Sequence, residues 1–247
     1  MTGSCHAGVS EVATLLHQGQ RKTLEDRVRV GSWWWSVADG MGGEGAGDLA
    51  ASATVGAAAT VLRRDSDMPA SEPRALRRLR AVGVEAQQAV VDAAFGAEVL
   101  TAGSTLLVLL LSADHRLHVG WIGDSRAYLA SRGRVSCVTR DHTFVATSDV
   151  DRTSPVSRGG LTRHLGYRAA PATDSAVLDV LSFDQPRLGR VVLRSDGVWS
   201  AIPAAELDAI LLRSDTAARV AADLRHAVLA AGAPDNFAAV VIDFDVE

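Results

Sequence analysis

Residues 105–139 read T-L-L-V-L-L-L-S-A-D-H-R-L-H-V-G-W-I-G-D-S-R-A-Y-L-A-S-R-G-R-V-S-C-V-T. Apolar runs at 105–111, 117–122, 127–130 and 135–139 are separated by short segments carrying Gly or Asp, the spacing of a strand meander. Leu106–Leu111 is aliphatic at every position, so this strand has no polar face and is expected to be covered on both sides.

Working outward, 9–16, 28–30 and 33–38 read as strands before this stretch, and 176–180, 191–194 and 238–244 after it. Helices fall between them. Residues 48–64 are rich in small side chains that let a backbone lie close to a sheet. A second helix starts near Ser71 with Pro73 in its first turn, where the missing N–H is harmless, and ends at Gly96. Leu76, Leu79, Val82, Ala86, Val90 and Ala93 form its apolar stripe, and Arg74, Arg77, Arg78 and Arg80 read as a solvated face. Two more helices, 204–212 and 216–231, close before Gly232 and Pro234. Strands, two helices, a run of strands, then helices and a last strand favour an α+β fold of antiparallel sheets with helices outside. One domain over 1–247 is expected, with a polar surface loop at 147–160.

Composition narrows the classes of function. A net charge of −4 over 247 residues lacks the basic excess of a nucleic-acid binder. The longest aliphatic run is far shorter than the ~20 residues that span a bilayer, so no membrane segment is expected. The start, M-T-G-S-C-H-A-G, has neither a basic nor an apolar leader region. Cys5 and Cys137 cannot staple a chain of this size, and a cytoplasmic location is the expectation.

Four aspartates sit where solvated surface charge is not expected. Asp39 follows W-W-W-S-V-A and precedes Gly40; Asp196 follows V-V-L-R-S and precedes Gly197; Asp124 follows V-G-W-I-G; Asp235 precedes Asn236 and the last strand. Carboxylates gathered at strand ends repel one another unless cations lie between them. Mg²⁺ and Mn²⁺ take oxygen ligands, so a few aspartates and a backbone carbonyl suffice. A glycine after the aspartate allows a tight turn and lets its carbonyl reach the ion. Two such ions roughly 3.5–4 Å apart clamp a phosphoryl group and activate a water.

Arg21-Lys22-Thr23-Leu24-Glu25-Asp26 and Asp39-Gly40-Met41-Gly42-Gly43 resemble the opening of the protein phosphatase 2C (PPM) family of metal-dependent Ser/Thr phosphatases. Gly103-Ser104-Thr105, Gly123-Asp124-Ser125-Arg126, Asp141-His142-Thr143, Leu161-Thr162-Arg163-His164-Leu165-Gly166, Ser195-Asp196-Gly197 and Asp235-Asn236 follow in family order. The resemblance implies an α-β-β-α sandwich and dephosphorylation of phosphoserine and phosphothreonine with Mn²⁺ or Mg²⁺. Asp39 would bridge two metals and the Gly40 carbonyl would bind one. Asp196 and Asp235 would ligate the same metal, and Glu25 would act on the other through water. Asp26 would support the attacking water, Arg21 would hold the phosphate, and Asn236 would brace its neighbour from outside the ligand set. Asp124 matches the carboxylate that helps Asp196 hold a weaker third metal in bacterial members. Phosphorylated proteins, substrates of a cognate Ser/Thr kinase, are the implied partners. Met41 stands where many eukaryotic members have a histidine, so no protein acid for the leaving alkoxide is identified. The flap-like loop at about 143–160 is shorter than usual for the family.

Two other readings compete. Gly123-Asp124-Ser125 with Asp223-Leu224-Arg225-His226 suggests a serine esterase using Ser125, although Ser125 lies between two strands rather than on a strand-to-helix turn. A catalytically weak or inactive phosphoprotein-binding module would show lost metal ligands, yet Asp39, Asp196 and Asp235 are all present. Trp33, Trp34 and Trp35 read either as a stacking platform for bases or as a half-buried sheet edge. His142 reads as ordering its own loop, and Cys5 as a terminal thiol without function.

Overall fold

The computed structural model describes residues 8–43, 45–64, 67–99, 101–144, 160–166, 177–186, 188–213 and 215–245. Residues 145–159, nearly all of the expected flap-like loop, and Cys5 lie outside the described residues. Strands β1 (Val9–His17), β2 (Asp26–Val30) and β3 (Trp34–Met41) come first, followed by helices α1 (Ala46–Arg64) and α2 (Glu72–Gly96). Next are β4 (Gly103–Ser104), β5 (Leu106–Leu111), β6 (Arg116–Ile122), β7 (Arg126–Ser131), β8 (Arg134–Cys137), β9 (Leu165–Gly166), β10 (Asp179–Asp184) and β11 (Leu188–Arg194). The chain ends with α3 (Asp196–Trp199), α4 (Ala204–Leu211), α5 (Ala217–Ala230) and β12 (Phe237–Asp245).

All pairings are antiparallel. One sheet has the order β1-β12-β11-β7-β8; the other has β10-β6-β5-β3-β4-β9, with β2 on the free side of β3. Helices α1 and α2 cover the second sheet, α4 and α5 cover the first, and the two sheets face each other. This is the expected α-β-β-α sandwich. The period of two along β12 shows why it forms. Ala238, Val240 and Ile242 pack toward the other sheet, Ala239 and Val241 pack under α4 and α5, and all five have no exposed surface. Leu106–Leu111 is likewise wholly buried, each side chain contributing about 1.5–3 kcal/mol of apolar burial. Helix α1 lays Ala50, Ala51 and Ala58 against the sheet without exposure. Helix α5 turns Val220, Leu224 and Val228 inward, and its Thr216 cap accepts from the Arg219 N–H at 3.2 Å.

Several expectations are corrected. The meander is split: β5 and β6 belong to one sheet, β7 and β8 to the other, and the chain changes sheets at 123–125. Gly123 makes that crossing with φ +102°, where a Cβ would also meet Thr105 Cγ2 at 2.5 Å. The three tryptophans are neither platform nor edge. Strand β3 lies inside its sheet, and Trp33, Trp34 and Trp35 are all buried. Arg78 is not simply solvated, because its guanidinium covers the Trp33 ring at 5.0 Å and donates to the Asp67 carbonyl at 2.6 Å. The strand expected at 176–180 runs instead over Asp179–Asp184, where it pairs with β6.

Candidate active site

Five chain segments meet where the ends of both sheets come together. They are the stretch before β2, the end of β3, the β6–β7 crossing, the β11–α3 junction and the stretch before β12. They enclose a cleft of about 810 Å³ lined by Arg21, Glu25, Asp39, Gly40, Asp124, Asp196, Asp235 and Asn236, with Lys22, Met41 and Leu161 also on its wall. Eight of the nine residues singled out in the sequence thus face one space, although 215 positions separate the first from the last. Asp26 is the exception. It lies beneath the cleft, 1% exposed, where its Oδ2 accepts from the Ser195 hydroxyl at 2.6 Å.

Asp39 is reached from β3, two residues before its end. Its N–H donates to Thr105 Oγ1 at 3.0 Å and its carbonyl accepts from the Thr105 N–H at 2.8 Å, so β5 sets its height. Gly40 is glycine for lack of room rather than for a turn: it lies inside β3, and a Cβ there would meet the Gly47 carbonyl at 1.9 Å. The sequence reading of a tight turn after Asp39 is corrected accordingly. Asp196 opens α3. Asn236 stitches the segment before β2 to the start of β12. Its amide donates to the Gln18 and Thr23 carbonyls at 2.6 and 2.9 Å, and its Oδ1 accepts from the Glu25 N–H at 2.6 Å. Its backbone N–H donates to Asp235 Oδ1 at 2.8 Å. Asp235 Oδ2 meets the Arg21 guanidinium at 2.6 Å, with the arginine side chain 58% exposed at the rim.

The Asp124 turn is held from both sides. His142 accepts from the Gly123 N–H through Nδ1 at 3.1 Å and donates its own N–H to the Gly123 carbonyl at 3.0 Å. This is the loop-ordering role expected for His142. Ser125 and Thr105 share a hydrogen bond at 2.8 Å between their hydroxyls. Thr105, Ser195 and Trp199, whose Nε1 donates to the Asp124 carbonyl at 3.2 Å, were not assigned roles from sequence. Only their membership of quoted motifs marks the first two.

The electrostatics follow from five carboxylates, against Arg21 and Lys22, lining one cleft. Burial pushes Asp26 up to about 7; Asp196 and Asp235 add to the rise, while Ser195 and Arg27 oppose it. Burial also holds Asp39 well above the ordinary carboxylate value, reinforced by the charges of Asp26, Asp196 and Asp124. Asp124 rises to about 7 through burial, then through Asp196 and Asp141. Among the described residues no three His, Cys, Asp or Glu side chains already close around one point, and Asp235 is turned to Arg21. The donor set is nevertheless all oxygen, crowded and short of positive charge, which fits hard divalent cations and not a soft or nitrogen-seeking metal.

The serine-esterase reading is overturned here. Ser125 is 1% exposed and engaged with Thr105, while His226 is exposed on α5 and Asp223 pairs with Arg213 and Arg219.

Residues 17–225 match protein phosphatase 2C, and the chain belongs to that family. It is 34% identical over 227 residues to the serine/threonine protein phosphatase PstP of Mycobacterium tuberculosis, covering 90% of this chain and 42% of that protein. The chain thus spans less than half the length of that relative. The serine/threonine phosphatase stp of Listeria monocytogenes is 26% identical over 219 residues, covering 85% of this chain and 84% of the relative. Among solved structures, the catalytic domain of PstP in complex with 2 manganese ions superposes with a TM-score of 0.79 at 26% identity, covering 95% of this chain and 98% of that one. PppA of Pseudomonas aeruginosa superposes with a TM-score of 0.78 at 30% identity, covering 96% of this chain and 100% of the other.

Proposed function

We propose that residues 1–247 form one phosphatase domain that hydrolyses phosphoserine and phosphothreonine in proteins phosphorylated by a cognate Ser/Thr kinase. The observation that carries this reading is the convergence of Glu25, Asp39, Asp124, Asp196 and Asp235 on one cleft with Arg21 at its rim. Asp39, the Gly40 carbonyl, Asp196, Asp235 and Glu25 would hold two Mn²⁺ or Mg²⁺ ions, and Asp124 with Asp196 a weaker third. When bound, such ions polarise a phosphoryl oxygen and lower the pKa of water toward ~7.

The remaining work falls to this chain's own groups. Asp26, buried and oriented by Ser195, sits below the cleft as a proton acceptor for water that enters it. Arg21 presents a planar fork at the rim, matched to two phosphate oxygens, and releases Asp235 when it turns to substrate. Asn236 keeps Glu25 and Asp235 at a fixed separation through the segment before β2. Asp39, Asp196 and Asp235 being all present favours turnover over a binding-only module. The exposed free thiol of Cys137 suits a reducing, cytoplasmic setting.

The test is phosphate release from phosphoserine and phosphothreonine peptides by the purified chain, with Mn²⁺, with Mg²⁺ and with EDTA. Release that needs the metal supports the reading. Tight phosphopeptide binding without release would move the chain to the binding-module class.

A further inference from the structure

Trp199 ties together the two segments that carry Asp124 and Asp196, which lie 72 positions apart. Helix α3 is four residues long, so Asp196 at its start and Trp199 at its end move as one turn. The Trp199 Nε1–H donates to the Asp124 carbonyl at 3.2 Å. His142 and Thr105 hold the flanking Gly123 and Ser125 from residues packed with the β5–β6 sheet, whereas Trp199 reaches the same turn from the segment that carries Asp196.

The indole is itself held. Its ring lies 3.7 Å from the Arg126 guanidinium carbon, within the range of a cation–π contact. Asp141 fixes that guanidinium with two bonds, Nε to Oδ1 at 2.9 Å and Nη2 to Oδ2 at 2.6 Å. Arg194 stands directly across from Arg126 in the β7–β11 register, an arrangement of like charges that ordinarily destabilises a sheet. Here each arginine is laid on its own ring, Arg126 on Trp199 and Arg194 on Tyr128 at 4.0 Å. The stack leaves the indole half-buried with its N–H directed at Asp124.

We infer that Trp199 is a positioning residue that sets the spacing of Asp124 relative to Asp196, and thereby the strength of the weaker cation site between them. The inference rests on the proposed role of Asp124, so both residues are tested together. Trp199→Phe removes the N–H donor and keeps an aromatic, though smaller, ring at the position that stacks on Arg126.

The experiment is calorimetric titration of the metal-free chain, W199F and D124A with Mn²⁺, followed by steady-state kinetics on a phosphopeptide. Loss of one neutral hydrogen bond corresponds to about a fivefold loss of affinity. W199F is expected to weaken the weakest Mn²⁺ event by about that factor, leaving the tighter events within about twofold. Its kcat should fall while its KM for the phosphopeptide holds, as for D124A but to a smaller extent. Wild-type Mn²⁺ binding by W199F, alongside loss of the weak event in D124A, would overturn the inference. An unchanged weak event in D124A would remove the cation-site reading and the inference with it. If W199F also loses the tighter events, the ring is a folding element and the positioning assignment is wrong.

Discussion

Replacing Asp39 with asparagine removes one charge from the middle of the cluster and little else. The backbone bonds to Thr105, at 3.0 and 2.8 Å, do not involve the side chain and should persist. In the metal-free protein the Asp39 carboxyl is held well above 3.8 by burial and by Asp26, Asp196 and Asp124. The folded state therefore retains a proton that the unfolded chain gives up, and each pH unit between the unfolded value and the working pH costs it about 1.4 kcal/mol. Asparagine carries no such cost. That cost accumulates only until the folded carboxyl itself ionises, which burial and the neighbouring charges postpone to a pH well above 3.8. For a chain of this length each kcal/mol moves Tm by about 2–4 °C, so in EDTA Asp39→Asn should melt higher than wild type at neutral pH, the gap widening by at most about 3–6 °C per pH unit above the unfolded value. At about pH 3 the gain should largely vanish, because the aspartate is then mostly protonated in both states. With about 1 mM Mn²⁺ the order should reverse, since only the wild type gains the full RT ln(1 + [Mn²⁺]/Kd). Differential scanning calorimetry at the two pH values, with and without metal, measures all three effects. A metal-free variant melting below wild type at neutral pH, or an equal gain at both pH values, would refute the argument.

Ser195→Ala leaves Asp26 without its 2.6 Å donor and the Ala238 N–H without its 2.9 Å acceptor. It should cost about 2–4 kcal/mol in urea unfolding near pH 8, and a loss under about 0.5 kcal/mol would show that neither bond matters. In EDTA the wild-type chain should lose stability as pH rises from about 4 to 7, because folded Asp26 and Asp124 still bind protons at pH values where unfolded aspartates do not. Above about 7 this contribution levels off, and chemical denaturation showing a rise across the window would contradict the raised values. Arg21→Ala should raise KM for a phosphopeptide about tenfold with little change in kcat, because a phosphate clamp acts in ground and transition states alike. A collapse of kcat at constant KM would instead place Arg21 in the chemical step.

What was legible in the sequence was whatever local pattern and chain order carry. The continuous apolar run of β5 announced a strand covered on both faces, and the order of strands and helices pointed to sheets between helix layers. The cleft residues were legible because Asp39, Asp124 and Asp196 each followed an apolar run, Asp235 preceded one, and all stood in motifs whose order resembled one family. The tertiary structure alone decided the rest. A continuous apolar run says that both faces of a strand are covered, but not by which layers, so the 105–139 stretch read as one meander although Gly123 carries it from one sheet to the other. Three successive tryptophans read as a stacking platform or a half-buried sheet edge until the pairing places β3 between neighbours. Gly40 looked like a turn and proved to be a place without room for a Cβ. Asp26 owes its setting to Ser195, 169 positions away, and Asp124 is held by Trp199, 75 positions away. A hydrogen bond between such distant residues imposes no spacing on either segment, since it depends on where two separate strands end after the sheets have packed.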